Sequence, residues 1–312
     1  MKWVLRITFG LVTLLAGLLV LLFASSYLFN LATDGETKPV QTLWHGRFVT
    51  ADGVLTAYRE WSPEAKGTPI VLIGGFLEPT FVWEEVAPLL AKAGHPVYAL
   101  DLDGFGYTER RGPWTLDEWA AQVAGFMSAL RIEKPIVVGH SLGASVALDV
   151  VRRGLVSRVV LVDGDALTTG GPPTFLLRAL THTPLITSAL RLSMDWDWPV
   201  TKILEKTYGP THPKLDHSLV ERWTNQFKAD GSDHAMSQIA KKGVQGFSRS
   251  QLRAIRVPAT VVWGTEDSVD SVGSGRQTAG DLQARFVQIP GAGHLGILTR
   301  PAAYAHAIER QP

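Results

Sequence analysis

Short apolar runs and longer amphipathic segments alternate along most of this sequence. Two alternating runs around Asp52-Gly53 predict an opening β-hairpin, because Asp-Gly is a favoured two-residue hairpin turn. Further strands are predicted at residues 69–73, 97–100, 135–138, 159–162, 259–263 and 285–289. Helices are predicted between them, at residues 81–93, 116–130, 144–152 and 301–310. This order predicts an α/β fold with a mostly parallel sheet that carries helices on both faces.

The alternation stops after residue 163, where the pattern becomes helical and irregular and predicts no strand until residue 259. A helical insertion between two strands of one sheet predicts a cap over a site at the edge of the sheet. We therefore expect a first core segment at residues 42–163, a helical cap at 164–256 and a second core segment at 257–312. Apolar cap residues either pack the cap onto the core, line an acyl pocket or rest on a membrane. They lie in Phe175-Leu176-Leu177, Pro184-Leu185-Ile186 and Met194-Asp195-Trp196-Asp197-Trp198.

The N-terminal segment is strongly apolar. Lys2 and Arg6 precede an uncharged stretch, and Asp34 and Glu36 follow it. A helix of about 20 residues crosses the hydrocarbon core of a bilayer, so this stretch is long enough to span a membrane. The basic residues before it place the rest of the chain outside the cytoplasm. The predicted segments are a cytoplasmic tail at residues 1–6, a transmembrane signal-anchor at 7–29 and a linker at 30–41.

A cleaved secretory signal peptide is the alternative interpretation of this segment. Ala24 and Ser26 provide a small-x-small cleavage site, and cleavage there would leave a secreted protein that begins near Tyr27. The apolar run is longer than the core of a typical signal peptide, which favours the retained anchor.

Composition excludes several classes of function. Hydrophobic residues make up 46% of the 312 residues and charged residues 19%, which predicts a large buried core. The formal net charge is +1 and no concentrated basic stripe occurs, which argues against a nucleic-acid partner. The chain has no cysteine, so disulfide scaffolds, thiolate metal sites and a cysteine nucleophile are excluded. No spacing indicates a cofactor or a metal, and the oligomeric state stays open.

Ser141 lies in the sequence Gly139-His140-Ser141-Leu142-Gly143, directly after a predicted strand and before an alanine-rich helix. The flanking glycines permit a tight turn that exposes a serine hydroxyl above the sheet. Such a hydroxyl becomes a nucleophile when a base removes its proton and donors stabilise the oxyanion. We therefore predict that Ser141 is the nucleophile.

The base and its acidic partner are expected later in the chain. His294 follows the last predicted strand on the glycine-rich loop 290–293, which allows it to reach the serine. Asp267 follows the strand at 259–263 and gives the chain order Ser, Asp, His. Asp163, at the end of the strand before the cap, is the rival for the acidic position. Histidine 140 adjoins the serine but is expected to point elsewhere on the turn.

Five segments together resemble the α/β-hydrolase superfamily in order and spacing, and within it the capped esterase, perhydrolase and epoxide-hydrolase-like group. The resemblance implies the α/β-hydrolase fold from about residue 45 to the C-terminus, outside the cap. It also implies that the backbone N–H groups of Phe76 and Leu142 form the oxyanion hole. A serine nucleophile argues against dehalogenase and epoxide hydrolase activity, which use an aspartate in this group. The segments are Gly74-Gly75-Phe76, Asp101-Leu102-Asp103-Gly104-Phe105-Gly106, Gly139-His140-Ser141-Leu142-Gly143, Trp263-Gly264-Thr265-Glu266-Asp267 and Gly293-His294.

Two positions depart from the family's pattern. The family usually has His-Gly where this chain has Gly74-Gly75, which puts the shape of the oxyanion loop in doubt. It usually has serine where this chain has Tyr107, whose side chain is either a pocket wall or a packed loop residue.

The expected function is hydrolysis of a small-molecule carboxylic ester by a serine hydrolase with a Ser-His-Asp triad. Ser141 attacks, His294 transfers the proton and Asp267 holds the imidazolium, with no cofactor. An acyltransferase, an amidase or a C–C hydrolase could use the same triad. A non-catalytic, membrane-tethered binding protein on the same fold is the alternative of a different class, and an intact triad argues against it.

Overall fold

The computed structural model describes residues 2–33, 37–168, 184–243 and 245–310. Within these residues, eight strands form one sheet in the order β1-β2-β4-β3-β5-β6-β7-β8. The hairpin β1–β2 forms at Asp52-Gly53, and β2 pairs antiparallel with β4, whereas all later pairings are parallel. The strands are β1 (Arg47–Ala51), β2 (Val54–Trp61), β3 (Ile70–Ile73), β4 (Val97–Leu100), β5 (Ile136–His140), β6 (Arg158–Val162), β7 (Ala259–Gly264) and β8 (Arg285–Ile289).

Helices cover both faces of this sheet. Side chains alternate along each strand, so Val71 and Ile73 of β3 face one hydrophobic cluster and Ile70 and Leu72 face the other. The core helices are α3 (Ala87–Lys92), α4 (Leu116–Ala129), α5 (Leu142–Arg152), α11 (Val272–Leu282), α12 (Gly296–Thr299) and α13 (Pro301–Glu309). The predicted α/β architecture with a mostly parallel sheet is thereby confirmed.

The helix predicted at residues 81–93 is instead two pieces. A 3₁₀ turn occupies Thr80–Trp83, and α3 begins only at Ala87. Pro88 lies in the first turn of α3, where its missing N–H costs nothing, whereas it would break a helix that ran through from residue 81. The helix at Leu116–Ala129 begins as predicted, because the Thr115 hydroxyl accepts from the N–H of Glu118 at 3.3 Å.

Helices also make up most of the described part between β6 and β7. No strand of the sheet lies there among the described residues, although isolated bridges join Leu167 to Phe247 and Ala229 to Lys38. Phe175-Leu176-Leu177, named among the apolar cap residues, lies outside the described residues. The helices are α6 (Leu185–Asp195), α7 (Asp197–Tyr208), α8 (His217–Thr224), a 3₁₀ turn at Asn225–Lys228, α9 (Ser232–Lys242) and α10 (Arg249–Ala254).

The N-terminal helix α1 spans Lys2–Ala32 and is almost wholly exposed. Its segment Arg6–Ala32 is 27 residues long and contains an 18-residue window with a mean hydropathy of 2.6, so it is long and apolar enough to cross a membrane. The helix therefore extends into the part predicted as a linker, and a short helix α2 (Val40–Leu43) follows. The exposed apolar surface is consistent with a signal-anchor or a signal peptide.

Candidate active site

Ser141 lies at the junction between β5 and α5. Its backbone has φ 51° and ψ −120°, a conformation that a residue with a side chain rarely adopts and that only a well-determined turn maintains. The Ser141 N–H donates to the carbonyl of Val162 at 2.9 Å, which ties the turn to the end of β6. The serine side chain consequently stands at the carboxyl edge of the sheet, on the wall of the main cavity.

His294 and Asp267 are brought together from the loops after β8 and β7. The Nδ1 atom of His294 lies 2.9 Å from Oδ2 of Asp267, and both side chains are buried. The other oxygen of Asp267 accepts from the N–H groups of Val269 and Asp270 at 2.8 and 3.0 Å, so the carboxylate is fixed. A carboxylate next to Nδ1 keeps the proton on that nitrogen and leaves Nε2 as the basic atom. His294 lines the same cavity as Ser141.

Asp163 is also buried near this site but has other partners. Its oxygens accept from the N–H of Gly264 at 2.6 Å and from the hydroxyl of Tyr304 at 2.8 Å. Burial raises the pKa of Asp163 to about 7. These contacts join the ends of β6 and β7 to helix α13, and they use both carboxyl oxygens for the scaffold.

The loop after β3 passes very close to Ser141. A side chain at Gly75 would place its Cβ 2.7 Å from the Cβ of Ser141, and one at Gly74 would lie 2.7 Å from the carbonyl oxygen of Glu78. Neither position has room for a side chain in this conformation of the loop. Phe76 follows on this loop and lines the cavity, with 39% of its surface exposed.

Leu142 begins helix α5, with Ser141 in the N-cap position. The first N–H groups of a helix have no acceptor within the helix, and the helix dipole adds partial positive charge there. The N–H of Leu142 therefore belongs to a region that favours a developing negative charge.

Glu78 and His140 form a buried pair that the sequence reasoning missed. Oε2 of Glu78 lies 2.7 Å from Nδ1 of His140, and Nε2 of His140 lies 2.8 Å from the carbonyl oxygen of His294. The ring of His140 contacts both Glu78 and the His294 loop, with its centroid 4.9 Å from that of the His294 ring. No periodicity or local motif connects Glu78 with His140, which are 62 residues apart.

The cavity in front of Ser141 has a volume of about 510 Å³ and predominantly apolar walls. Cap helices α6 and α7 supply much of the wall, with the polar groups of Ser141 and His294 at the core side. Tyr107 is not one of the described residues that line this cavity. Its ring instead stacks on that of Trp44, with centroids 5.2 Å apart. The apolar lining residues are Phe76, Leu77, Ile186, Ala189, Val200, Ile203, Leu204, Trp223, Phe227, Val269 and Leu295.

The end of helix α1 is joined to cap helix α6 by polar contacts. The hydroxyls of Ser26 and Ser188 lie 2.6 Å apart, and both side chains are buried. Asn30 donates to the carbonyl of Pro184 at 2.9 Å and accepts from Ser188 at 2.9 Å. Arg191 donates to Thr33 at 2.7 Å. Helix α6 also lines the cavity through Ile186 and Ala189, so α1 and the cavity share one supporting helix.

Comparison with known proteins identifies the fold family of this arrangement. A family model described as alpha/beta hydrolase fold matches residues 68–301, which is most of the chain. An uncharacterized hydrolase of Bacillus subtilis (strain 168) is 25% identical over 267 residues, covering 84% of this chain and 96% of the relative.

Two solved structures extend the comparison. A meta-cleavage product hydrolase from Pseudomonas fluorescens IP01 is 23% identical, with a TM-score of 0.65 over 84% of this chain and 95% of that chain. A membrane phospholipase A, described as a bacterial virulence factor, is 23% identical, with a TM-score of 0.67 over 98% of this chain and 96% of that chain. At these identities, the two structures show a shared fold.

Proposed function

The chain belongs to the alpha/beta hydrolase fold family, and on that basis we propose that it hydrolyses carboxylic esters through an acyl-enzyme formed on Ser141. The observation that carries this proposal is the hydrogen bond of 2.9 Å between Nδ1 of His294 and Oδ2 of Asp267, in the cavity that Ser141 also lines. His294 acts as the base, and Asp267 orients and stabilises it. The backbone N–H groups of Phe76 and Leu142 stabilise the oxyanion.

The reaction proceeds in two halves. In the first, the Oγ of Ser141 bonds to the ester carbonyl carbon while its proton moves to Nε2 of His294. The carbonyl oxygen becomes an oxyanion next to the two N–H donors. The bond from the carbonyl carbon to the leaving oxygen then breaks, and His294 returns its proton to the departing alcohol. In the second half, water attacks the acyl-serine with the same proton transfers, which releases the acid.

Asp267 is preferred over Asp163 because of the partners of each carboxylate. Asp267 contacts the imidazole of His294, whereas both oxygens of Asp163 contact Gly264 and Tyr304.

The cavity favours an ester with an extended hydrocarbon acyl chain. Its walls are apolar over most of their area, and about 510 Å³ is enough for a chain of lipid type. Burial of each methylene against such walls contributes about 0.8 kcal/mol. Longer acyl chains should therefore bind more tightly until the cavity is filled.

The N-terminal helix is proposed to remain attached and to hold the catalytic domain at the outer surface of a membrane. Ser26 and Asn30 make buried or half-buried hydrogen bonds to the cap helix, and cleavage near Tyr27 would remove the first of them. A signal peptide is removed rather than packed into the finished fold, so these contacts favour an anchor. The membrane phospholipase A that shares the fold along 98% of this chain also supports an ester of a membrane lipid as substrate.

Ester hydrolysis by the full-length protein in mixed micelles tests the proposal. We expect wild type to hydrolyse p-nitrophenyl esters, with kcat/KM rising from acetyl to longer acyl chains, and to release fatty acid from phospholipid vesicles. Ser141→Ala should lose both activities, whereas Ser128→Ala, on the exposed face of α4, should keep them.

Other results would redirect or reject the assignment. If Ser141→Ala keeps its rate, the nucleophile is wrong. If wild type transfers its acyl group to an added alcohol rather than to water, it is an acyltransferase. If it cleaves amides or vinylogous diketones but no ester, the triad serves as an amidase or a C–C hydrolase. If wild type turns over none of these substrates, the remaining interpretation is a membrane-tethered binding protein without catalytic activity.

A further inference from the structure

A buried ion pair lies next to the proposed catalytic residues without belonging to them. Glu78 and His140 are 7% and 0% exposed, and their oxygen and nitrogen atoms are 2.7 Å apart. Burial of a charged carboxylate or imidazolium is costly unless each charge is paired and hydrogen-bonded. The other hydrogen bonds of Glu78 and His140 therefore matter, because they show which segments the pair holds in place.

Two hydrogen bonds and one peptide bond connect this pair to all three proposed catalytic segments. Oε2 of Glu78 accepts from the N–H of Gly75 at 2.6 Å, in the loop that carries Phe76. Nε2 of His140 lies 2.8 Å from the carbonyl oxygen of His294. His140 itself immediately precedes Ser141 in the chain.

We propose that Glu78 and protonated His140 are positioning residues that hold the oxyanion loop and the His294 loop in register with Ser141. This inference rests on the proposed function. Neither residue is among the described residues that line the cavity, so each acts through a neighbour: Glu78 through Gly75, and His140 through the backbone of His294.

The hydrogen-bond partners require His140 to carry both protons. Nε2 faces a carbonyl oxygen, which only accepts, so Nε2 must donate. Nδ1 faces a carboxylate oxygen that already accepts from Gly75, so Nδ1 must donate as well. Only the imidazolium form has two N–H donors. A neutral His140 would lose one of the two links.

The electrostatic surroundings support the imidazolium form. Burial opposes the charge, but the charge of Glu78 and its hydrogen bond outweigh this and raise the pKa of His140 to about 9. Asp163 adds a further favourable charge, and the ring of His294 lies with its centroid 4.9 Å away. Burial opposes the charge of Glu78, but His140, His294 and the N–H of Gly75 together outweigh it and lower the pKa of Glu78.

Substitution Glu78→Gln tests this role in the full-length protein. Glutamine keeps the shape and an acceptor for Gly75 but removes the charge that keeps His140 protonated. Misplacing catalytic groups by about 1 Å can cost about 100-fold in rate, so we expect kcat to fall by about 10- to 100-fold with little change in KM. We also expect the alkaline limit of the kcat profile to move to lower pH, because His140 now loses its proton earlier.

A matched control variant and a count of the active sites that a fluorophosphonate labels distinguish a positioning role from a general loss of folded protein. Glu84→Gln also removes a glutamate from an ion pair, with Arg222, but it makes no contact with the Glu78–His140 pair in these hydrogen bonds and should leave the pH profile of kcat unchanged. A fluorophosphonate should label Glu78→Gln to the same final stoichiometry as wild type, only more slowly. His140→Asn should lower kcat similarly, and the double variant should be little worse than either single one.

Opposite results overturn the inference. Wild-type kcat and an unmoved alkaline limit in Glu78→Gln would do so, as would a rate loss matched by an equal loss of labelled sites. A readout independent of activity is a downfield imidazolium proton resonance, expected in wild type and absent from Glu78→Gln and His140→Asn; its absence from wild type also overturns the inference. If wild type fails to label at Ser141 yet shows this resonance, the proposed function fails and the buried imidazolium stands.

Discussion

The sheet core and the helical cap contribute different things to the cavity. From the core come the polar groups Ser141 and His294, each fixed at the end of a strand by backbone hydrogen bonds or a buried partner. From the cap come mainly apolar side chains on α6 and α7. Under the proposed function, the core sets the chemistry, which tolerates little displacement. The cap then sets the shape and length of the substrate that fits, which can vary without a change of reaction.

The largest effect is expected at the core, from Asp267→Asn. Asparagine can hydrogen-bond His294 but stabilises neither the required tautomer nor the imidazolium, which costs about 10⁴-fold in kcat in a comparable triad. Asp163→Asn is the matched control, and we expect it to stay within about tenfold of wild type. Steady-state kinetics on one ester checks both variants, and a larger loss in Asp163→Asn would exchange the roles of the two carboxylates.

The second-largest effect is a change in folding stability with pH, and it arises from His140 in the core. The pKa of His140 is raised from 6.5 to about 9 in the folded protein, so its contribution is complete below pH 6.5 and is lost as pH rises through 9. The loss is on the order of 3 kcal/mol. Wild type should therefore lose stability between these pH values relative to His140→Asn, as measured by thermal unfolding in detergent micelles. If the stability of wild type and of His140→Asn changes with pH in the same way, the pKa of His140 is not raised in the folded protein.

Cap residues are expected to change selectivity rather than chemistry. Val200→Trp, on the α7 wall of the cavity, should lower kcat/KM for long acyl esters by about tenfold and leave acetyl esters nearly unchanged, because it shortens the available space. Lys202→Trp, on the exposed side of the same helix, is the control. An equal loss for all chain lengths would mean that the cap takes part in the chemistry.

The smallest effect is expected where the N-terminal helix meets the cap. Ser188→Ala removes hydrogen bonds to Ser26 and Asn30, which should cost about 1 kcal/mol of stability. Thermal unfolding of the full chain in micelles measures this, and Ser128→Ala should show no shift. A change in ester kcat larger than a few-fold would show that the anchor contact reaches the site itself.

Most of the core could be predicted from the sequence because its signals are local. The strands carry alternating or continuous apolar runs, and the Ser141 turn is a short motif between a strand and a helix. Asp267 and His294 were predicted by their position after two late strands, and the structure brings their side chains into contact.

Features that depend on distant residues could not be predicted in this way. The Glu78–His140 pair joins positions 62 residues apart in the chain, and the motif around His140 gives no indication of Glu78 as its partner. The prediction of one helix at residues 81–93 was wrong in its first half. It relied on the apolar pattern and did not take into account that Pro88 is favourable only in the first turn of a helix. The hydrogen bond between the hydroxyls of Ser26 and Ser188 likewise depends on how α1 packs on the cap.

Identification of the residue that a fluorophosphonate labels tests directly whether Ser141 is the nucleophile. Full-length protein in micelles is treated with a fluorophosphonate, digested and analysed by mass spectrometry, with Ser141→Ala and Asp267→Asn in parallel. We expect one adduct on Ser141, none in Ser141→Ala, and much slower labelling in Asp267→Asn. An adduct on another residue, or undiminished labelling of Ser141→Ala, would contradict this expectation.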